Sequence, residues 1–143
     1  MALKDLHTLI RMRKWDVDER QRAVAALLRR EEAILADQAA LAREMAAEAA
    51  FVGSAKVVEM TFTFAAYLER CDRRREELAN ALQEVRRQIE EARDELAEAY
   101  RGLKTFEVTQ EMRDAAAEKE NERREQIDLN EIGLTLHRRG RAH

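Results

Sequence analysis

Apolar residues recur along this chain every seven residues, in two long stretches. With heptad position a set at residue 3, the a positions of the first stretch are Leu3, Ile10, Val17, Val24, Glu31, Gln38 and Met45. Its d positions are Leu6, Arg13, Arg20, Leu27, Ile34, Leu41 and Glu48. The second stretch has Leu68, Arg75, Leu82, Ile89, Leu96 and Leu103 at a, and Cys71, Leu78, Val85, Ala92, Ala99 and Phe106 at d. A sustained a/d repeat is the pattern of a coiled-coil seam. The second seam is cleaner, with Arg75 its one charged residue. The first is interrupted by Arg13, Arg20, Glu31, Gln38 and Glu48, which cost stability and can set register.

Between the two seams lies 49-AAFVGSAKVVEMTFTF-64. Gly53 permits the backbone geometry that ends a helix, and Ser54 can cap the next one. Val57, Val58, Thr61 and Thr63 are β-branched and weaken helix propensity. The pattern predicts an all-α, antiparallel two-helix coiled-coil hairpin forming a single domain over 1–143. Arm 1 spans about 3–52, the turn 53–56 and a longer arm 2 about 57–136, with a disordered tail at 137–143.

Antiparallel pairing brings a positions of one arm near d positions of the other. Pairing residues whose numbers add to 109 places Leu3 by Phe106, Leu6 by Leu103, Ile10 by Ala99, Val17 by Ala92, Val24 by Val85 and Leu41 by Leu68. The fold-back point then falls between Ser54 and Ala55, beside the glycine. In this register the seam ends at Phe106 because its partner begins at Leu3. Met45 would face Phe64, and Glu31 and Arg75 would occupy neighbouring layers. Gly102, unusual inside a helix, fits the close approach of another chain. Residues 107 to about 135 keep high helix propensity without a seam, which predicts a helix projecting past its partner, either available for binding or a frayed tail.

Composition narrows the function. Charged residues make up 38% and aromatics 5%, and there is no proline. That is the make-up of long helices rather than of a compact core. The net charge of -3 gives no electrostatic case for nucleic acid. It is unevenly spread. Residues 1–30 carry eight Lys/Arg against four Asp/Glu, whereas 91–120 carry five against nine. A basic segment would thus lie beside an acidic one. No apolar run approaches the roughly 20 residues that span a bilayer, and MALKDLHTLIRMRK lacks the apolar centre of a signal peptide. One cysteine, Cys71, excludes an intrachain disulfide and fits a reducing, cytosolic compartment.

Candidate chemistry is sparse. His7, His137 and His143 are isolated, no set of ligands has metal-site spacing, and there is no glycine-rich phosphate loop. Cys71 at a d position reads as a small apolar residue. The expectation is a non-enzyme without catalytic residues, metal, cofactor or small-molecule substrate. The informative residues are aromatic. Phe51, Phe62, Phe64 and Tyr67 cluster near the turn, where they either close the hairpin tip or form a partner patch. Trp15 faces away from the seam, and is either packed against neighbouring side chains or a contact residue.

Three segments carry a resemblance: 3-LKDLHTLIRMRKWDVDERQRAVAAL-27, 93-RDELAEAYRGLKTFE-107 and 118-EKENERREQIDLNEI-132. With the length, the absent proline and the longer second helix, the chain resembles the flagellar export protein FliJ family and related type III secretion stalk proteins. The resemblance implies a cytoplasmic component of the flagellar export apparatus, peripheral to the inner membrane at the flagellar base. Its implied partners are the hexameric export ATPase, the membrane-embedded export gate and, for some relatives, export chaperones. On this reading Arg11, Trp15, Val108, Met112, Ile127 and Ile132 are candidate contacts to the ATPase ring. Phe51, Phe62, Phe64 and Tyr67 are candidate contacts to the gate or a chaperone. A coiled-coil scaffold or chaperone-like hairpin without a secretion role would share the same periodicity.

Overall fold

The computed structural model describes residues 6–55 and 58–141, and side chains within these except at 55 and 58–61. Two helices account for them: α1, His7–Ala55, and α2, Val58–Arg141. They pack against each other as a hairpin with the longer helix second. The absence of proline lets both run without interruption. The described part of the predicted tail, 137–141, is helical and continues α2. Gly53 and Ser54, predicted as the turn, lie inside α1, and residues 56–57 lie outside the described residues.

The chain divides into two compact units, residues 6–15 with 100–141, and residues 16–99. In the second, Val17, Ile34, Cys71, Leu78, Val85, Ile89 and Ala99 are buried. Its centre is Ile34, Leu78 and Val85, with Leu27, Leu41, Ala81 and Leu82 packed around them. In the first, Leu6, Ile10, Leu103 and Gln110 are buried. Every one of the buried positions is an a or d of the predicted repeat, with Gln110 at the next a after Leu103.

The register differs from expectation by one heptad. In the first unit the Leu6 N–H donates to Gln110 Oε1 at 2.9 Å, and the Arg13 guanidinium lies 5.4 Å from the centre of the Phe106 ring. In the second, Arg20 pairs with Glu95 at 2.5 Å and Arg86 with Glu31 at 3.1 Å. Facing residues therefore add to about 116 rather than 109. The pairing of Leu3 lies outside the described residues.

The reason is physical. A shift of seven residues leaves every a and d facing inward, so the seam cannot choose between the two registers. The polar residues do. Helix α1 runs to Ala55 and α2 begins at Val58, ends that lie between the fold-back points of the two registers. The observed pairing lets Arg20 and Glu31, at seam positions, turn to the edge and meet opposite charges. Such exposed pairs each contribute ~0.2–1 kcal/mol. Glu31 thus pairs with Arg86, not with Arg75. Arg75 lies 3.9 Å from Asp72 and 3.4 Å from Met45 Sδ.

The seam consequently extends past Phe106 to Gln110. Leu6 immediately precedes α1, and its carbonyl accepts the Ile10 N–H at 2.8 Å. Its own N–H is a helix-end donor without an intrahelical acceptor. Gln110 supplies that acceptor from across the pair, and its Nε2 donates to Asp114 at 2.9 Å, which holds the amide in place. Gly102 lies beside the Arg13 guanidinium: a side chain added there would meet Arg13 Nη1 at 3.6 Å, an ordinary contact that does not require glycine.

Candidate functional site

The fold leaves two surfaces that chemistry can use, one in each unit. The first is an open groove of about 260 Å³ lined by Glu48, Phe51, Val52, Thr63, Phe64, Tyr67 and Arg70. Glu48, Phe51 and Val52 come from the last turns of α1, and Thr63, Phe64, Tyr67 and Arg70 from the first turns of α2. Phe64 and Tyr67 stack with ring centres 6.1 Å apart. Phe51 and Phe62 are exposed, at 59% and 78%, and Phe64 and Tyr67 are half-buried. The groove brings together Phe51, Phe64 and Tyr67, and leaves Phe62 outside its lining. Phe64 shares this groove with Phe51 and Val52, and Met45 is not part of its lining.

The Tyr67 hydroxyl is covered and meets no protein hydrogen-bond partner among the described residues. Desolvation raises its pKa above the ordinary value, and the nearby Cys71 and Glu44 side chains raise it further. Neither neighbour meets the hydroxyl with hydrogen-bonding geometry. The phenol therefore stays neutral at physiological pH, with a donor still to be satisfied. Glu48 and Arg70 give the rim one charge of each sign.

The second surface is α2 from residue 111 onward. Apart from half-buried Glu120, every residue from 111 to 141 is exposed. The helix is supported locally, by Glu120 with Arg123 at 2.8 Å and Arg124 at 3.4 Å and by Gln126 with Asn130 at 3.3 Å. The expected Glu120–Arg124 pair is therefore present. The two arginines hold the Glu120 carboxyl below the usual range, Arg123 chiefly. Val108, Met112, Ile127 and Ile132 are all exposed, as are Arg11 and Trp15 on α1.

Three further exposed apolar residues escaped the sequence reading: Leu129, Leu134 and Leu136. Their spacing was the available signal. Ile127 and Leu134 are two turns apart on one side of the helix. Leu129, Ile132 and Leu136 fall roughly opposite, at 100° per residue. A single heptad template registers the first stripe, Leu134 included, and carries no signal for Leu129 and Leu136 on the second.

No helix among the described residues is long and apolar enough to cross a membrane, and no group of His, Cys, Asp and Glu among them could hold a metal ion. Cys71 is buried, as its d position implies. Neither the curated proteins nor the solved structures yield a match to this chain. A protein-family model described as "Flagellar FliJ protein" matches residues 2–142. A helical hairpin matched to that model over almost its full length belongs to the FliJ family of flagellar proteins.

Proposed function

We propose that this protein is a non-enzymatic stalk of the flagellar type III export apparatus that docks on the hexameric export ATPase and links it to the export gate. Family membership supplies the export context. The observation that carries the docking is α2 beyond residue 110, a helix with Met112, Ile127, Leu129, Ile132, Leu134 and Leu136 open to solvent. An isolated helix is marginal in water, and exposed apolar residues gathered on one segment mark an interaction surface. The acidic run through 118–131 and the basic Arg138, Arg139 and Arg141 give the segment a charge reversal that would orient it in a binding site.

On this reading the 48–70 groove receives the second partner, the gate or an export chaperone. An apolar anchor suits it, because Phe51, Val52, Phe64 and Tyr67 line the groove. The protein works in the cytoplasm at the inner membrane, and binds neither nucleic acid nor a small-molecule substrate.

Amide hydrogen exchange tests the docking. In the free protein, exchange is fast across 111–141 and slow across 68–106, because only the second stretch has tertiary burial. Adding the export ATPase slows exchange across 111–141 selectively. No added protection there would refute the docking, whatever happens at the groove. For the groove, replacing Phe51, Phe64 and Tyr67 with Ala weakens binding to the gate or a chaperone and leaves helicity intact. Unchanged binding would remove the groove's role.

A further inference from the structure

One feature of the hairpin is unexplained by the register it adopts. Gly53 and Ser54 stand inside α1. A side chain added at Gly53 would meet nothing within 4 Å, so packing does not require glycine there. Ser54 Oγ donates back to the Phe51 carbonyl at 2.8 Å, a local bond of the kind that competes with a helix's own ladder. The pair weakens α1 and gives nothing visible in return.

The seams contain a second arrangement in which the pair is useful. Moving α1 along α2 by one heptad, a slide of about 10 Å, keeps all a and d positions inward. It places Val17 on Ala92, Val24 on Val85, Leu27 on Leu82 and Leu41 on Leu68, each apolar on apolar. The fold-back point then falls at Ser54–Ala55, where glycine and serine favour a turn. Within residues 16–99 the observed register is distinguished chiefly by the ion pairs Arg20–Glu95 and Glu31–Arg86. Three of those four side chains are at least 42% exposed, so each pair is individually weak. The slide would also bring Met45 to Phe64, into the groove that the observed register leaves open.

We propose that the hairpin is a two-register device: α1 and α2 exchange between the observed pairing and one shifted by a heptad, with Gly53–Ser54 as the alternate turn. The shifted register is the minor state, with the groove filled by Met45. A partner that binds the open groove therefore holds the observed register by population shift. The slide rests on the seams and the glycine, and does not depend on which partner is bound.

Three double-cysteine variants test it, each in a Cys71→Ala background on the full chain without partners. Val24→Cys with Ala92→Cys reports the observed register, and Val17→Cys with Ala92→Cys the shifted one. Arg22→Cys with Ala92→Cys points outward and reports background from fraying. In the observed register Val17 lies about 10 Å along the axis from the position facing Ala92, beyond disulfide reach. Under mild oxidation the 24/92 pair crosslinks fastest. The 17/92 pair crosslinks within one chain at least about tenfold faster than 22/92. A 17/92 rate equal to that background overturns the proposal. Adding Gly53→Ala and Ser54→Ala slows 17/92 about fivefold, as expected for removing one helix-interior glycine, and leaves 24/92 unchanged. Equal rates with and without these substitutions would overturn the role of the glycine turn. Circular dichroism on each variant confirms that the helices are retained.

Discussion

Two stretches of α2, 68–103 and 111–141, are equally helical and are so for different reasons. The first buries Cys71, Leu78, Val85, Ile89, Ala99 and Leu103. Each contributes through the apolar area it removes from water. The second buries none of its side chains and relies on propensity and on local pairs such as Glu120 with Arg123. Pairs of that kind add only ~0.2–0.5 kcal/mol to a helix. Helical secondary structure is thus no measure of how firmly a segment is held. What separates the two stretches is the presence of α1, and the boundary between them is Gln110.

The sharpest way to break the comparison is to put the same polar residue in both stretches. Val85→Gln places an amide where the side chain is 2% exposed. The hairpin is expected to lose about 2–4 kcal/mol, from lost burial and an unsatisfied polar group. Ile127→Gln, on the exposed stretch, changes the stability of the free protein by less than about 0.5 kcal/mol. Thermal melts of the two variants check both, and similar losses would mean that 111–141 is packed in solution.

The boundary is tested next. Gln110→Ala removes the acceptor of the Leu6 N–H and is expected to cost about 1 kcal/mol. Faster amide exchange confined to the first turn of α1 is the accompanying readout. Stability unchanged by the substitution would show that the seam ends earlier, at Phe106.

Two glycines sharpen the contrast further. Gly102→Ala puts its new methyl in ordinary contact with Arg13, at 3.6 Å. It is expected to stabilise the hairpin by about 0.5–1 kcal/mol through helix propensity. Gly133→Ala meets nothing within 4 Å. It raises the helicity of the exposed stretch without moving the main melting transition. A higher melting temperature for Gly133→Ala would tie the exposed stretch to the cooperative core.

The smallest effect is pH. Arg87, then Gln88, hold Glu84 below the ordinary glutamate value of 4.5, and Arg123 does the same for Glu120. A carboxyl whose pKa is lowered by folding stabilises fully above its unfolded value. That contribution is lost as pH falls through the lower folded value. Both side chains are solvent-exposed or nearly so, and salt screens them. Acidification below 4.5 is therefore expected to reduce helicity slightly in both stretches and more at low ionic strength. A titration of helicity that is flat through this range, at low salt, would show that the local pairs contribute nothing.

The candidate sites were legible to different depths. Phe51, Phe64 and Tyr67 stood out by clustering near the turn, and the fold does join them in one groove. Glu48, Val52, Thr63 and Arg70 carry no signal of their own. They enter because the register places the end of α1 against the start of α2. Ile127 and Ile132 were visible as apolar residues beyond the seam. Leu134 falls on the same heptad position as Ile127 and was available there, whereas Leu129 and Leu136 needed the helix to be read around its whole circumference, since their stripe falls outside the heptad that organises the rest of the chain.

Periodicity alone determined which face of each helix is buried, because the 3.6-residue turn and the 3.5-residue repeat tie position along the chain to direction around the axis. Every described buried residue obeys it, including Gln110. The choice among registers was beyond it, because a seven-residue slide maps the repeat onto itself. That choice required the ion pairs of Arg20 with Glu95 and Glu31 with Arg86, and the donor that Leu6 presents to Gln110. Each depends on distances between residues 55 to 104 positions apart in the chain, and these exist only once the two helices have met.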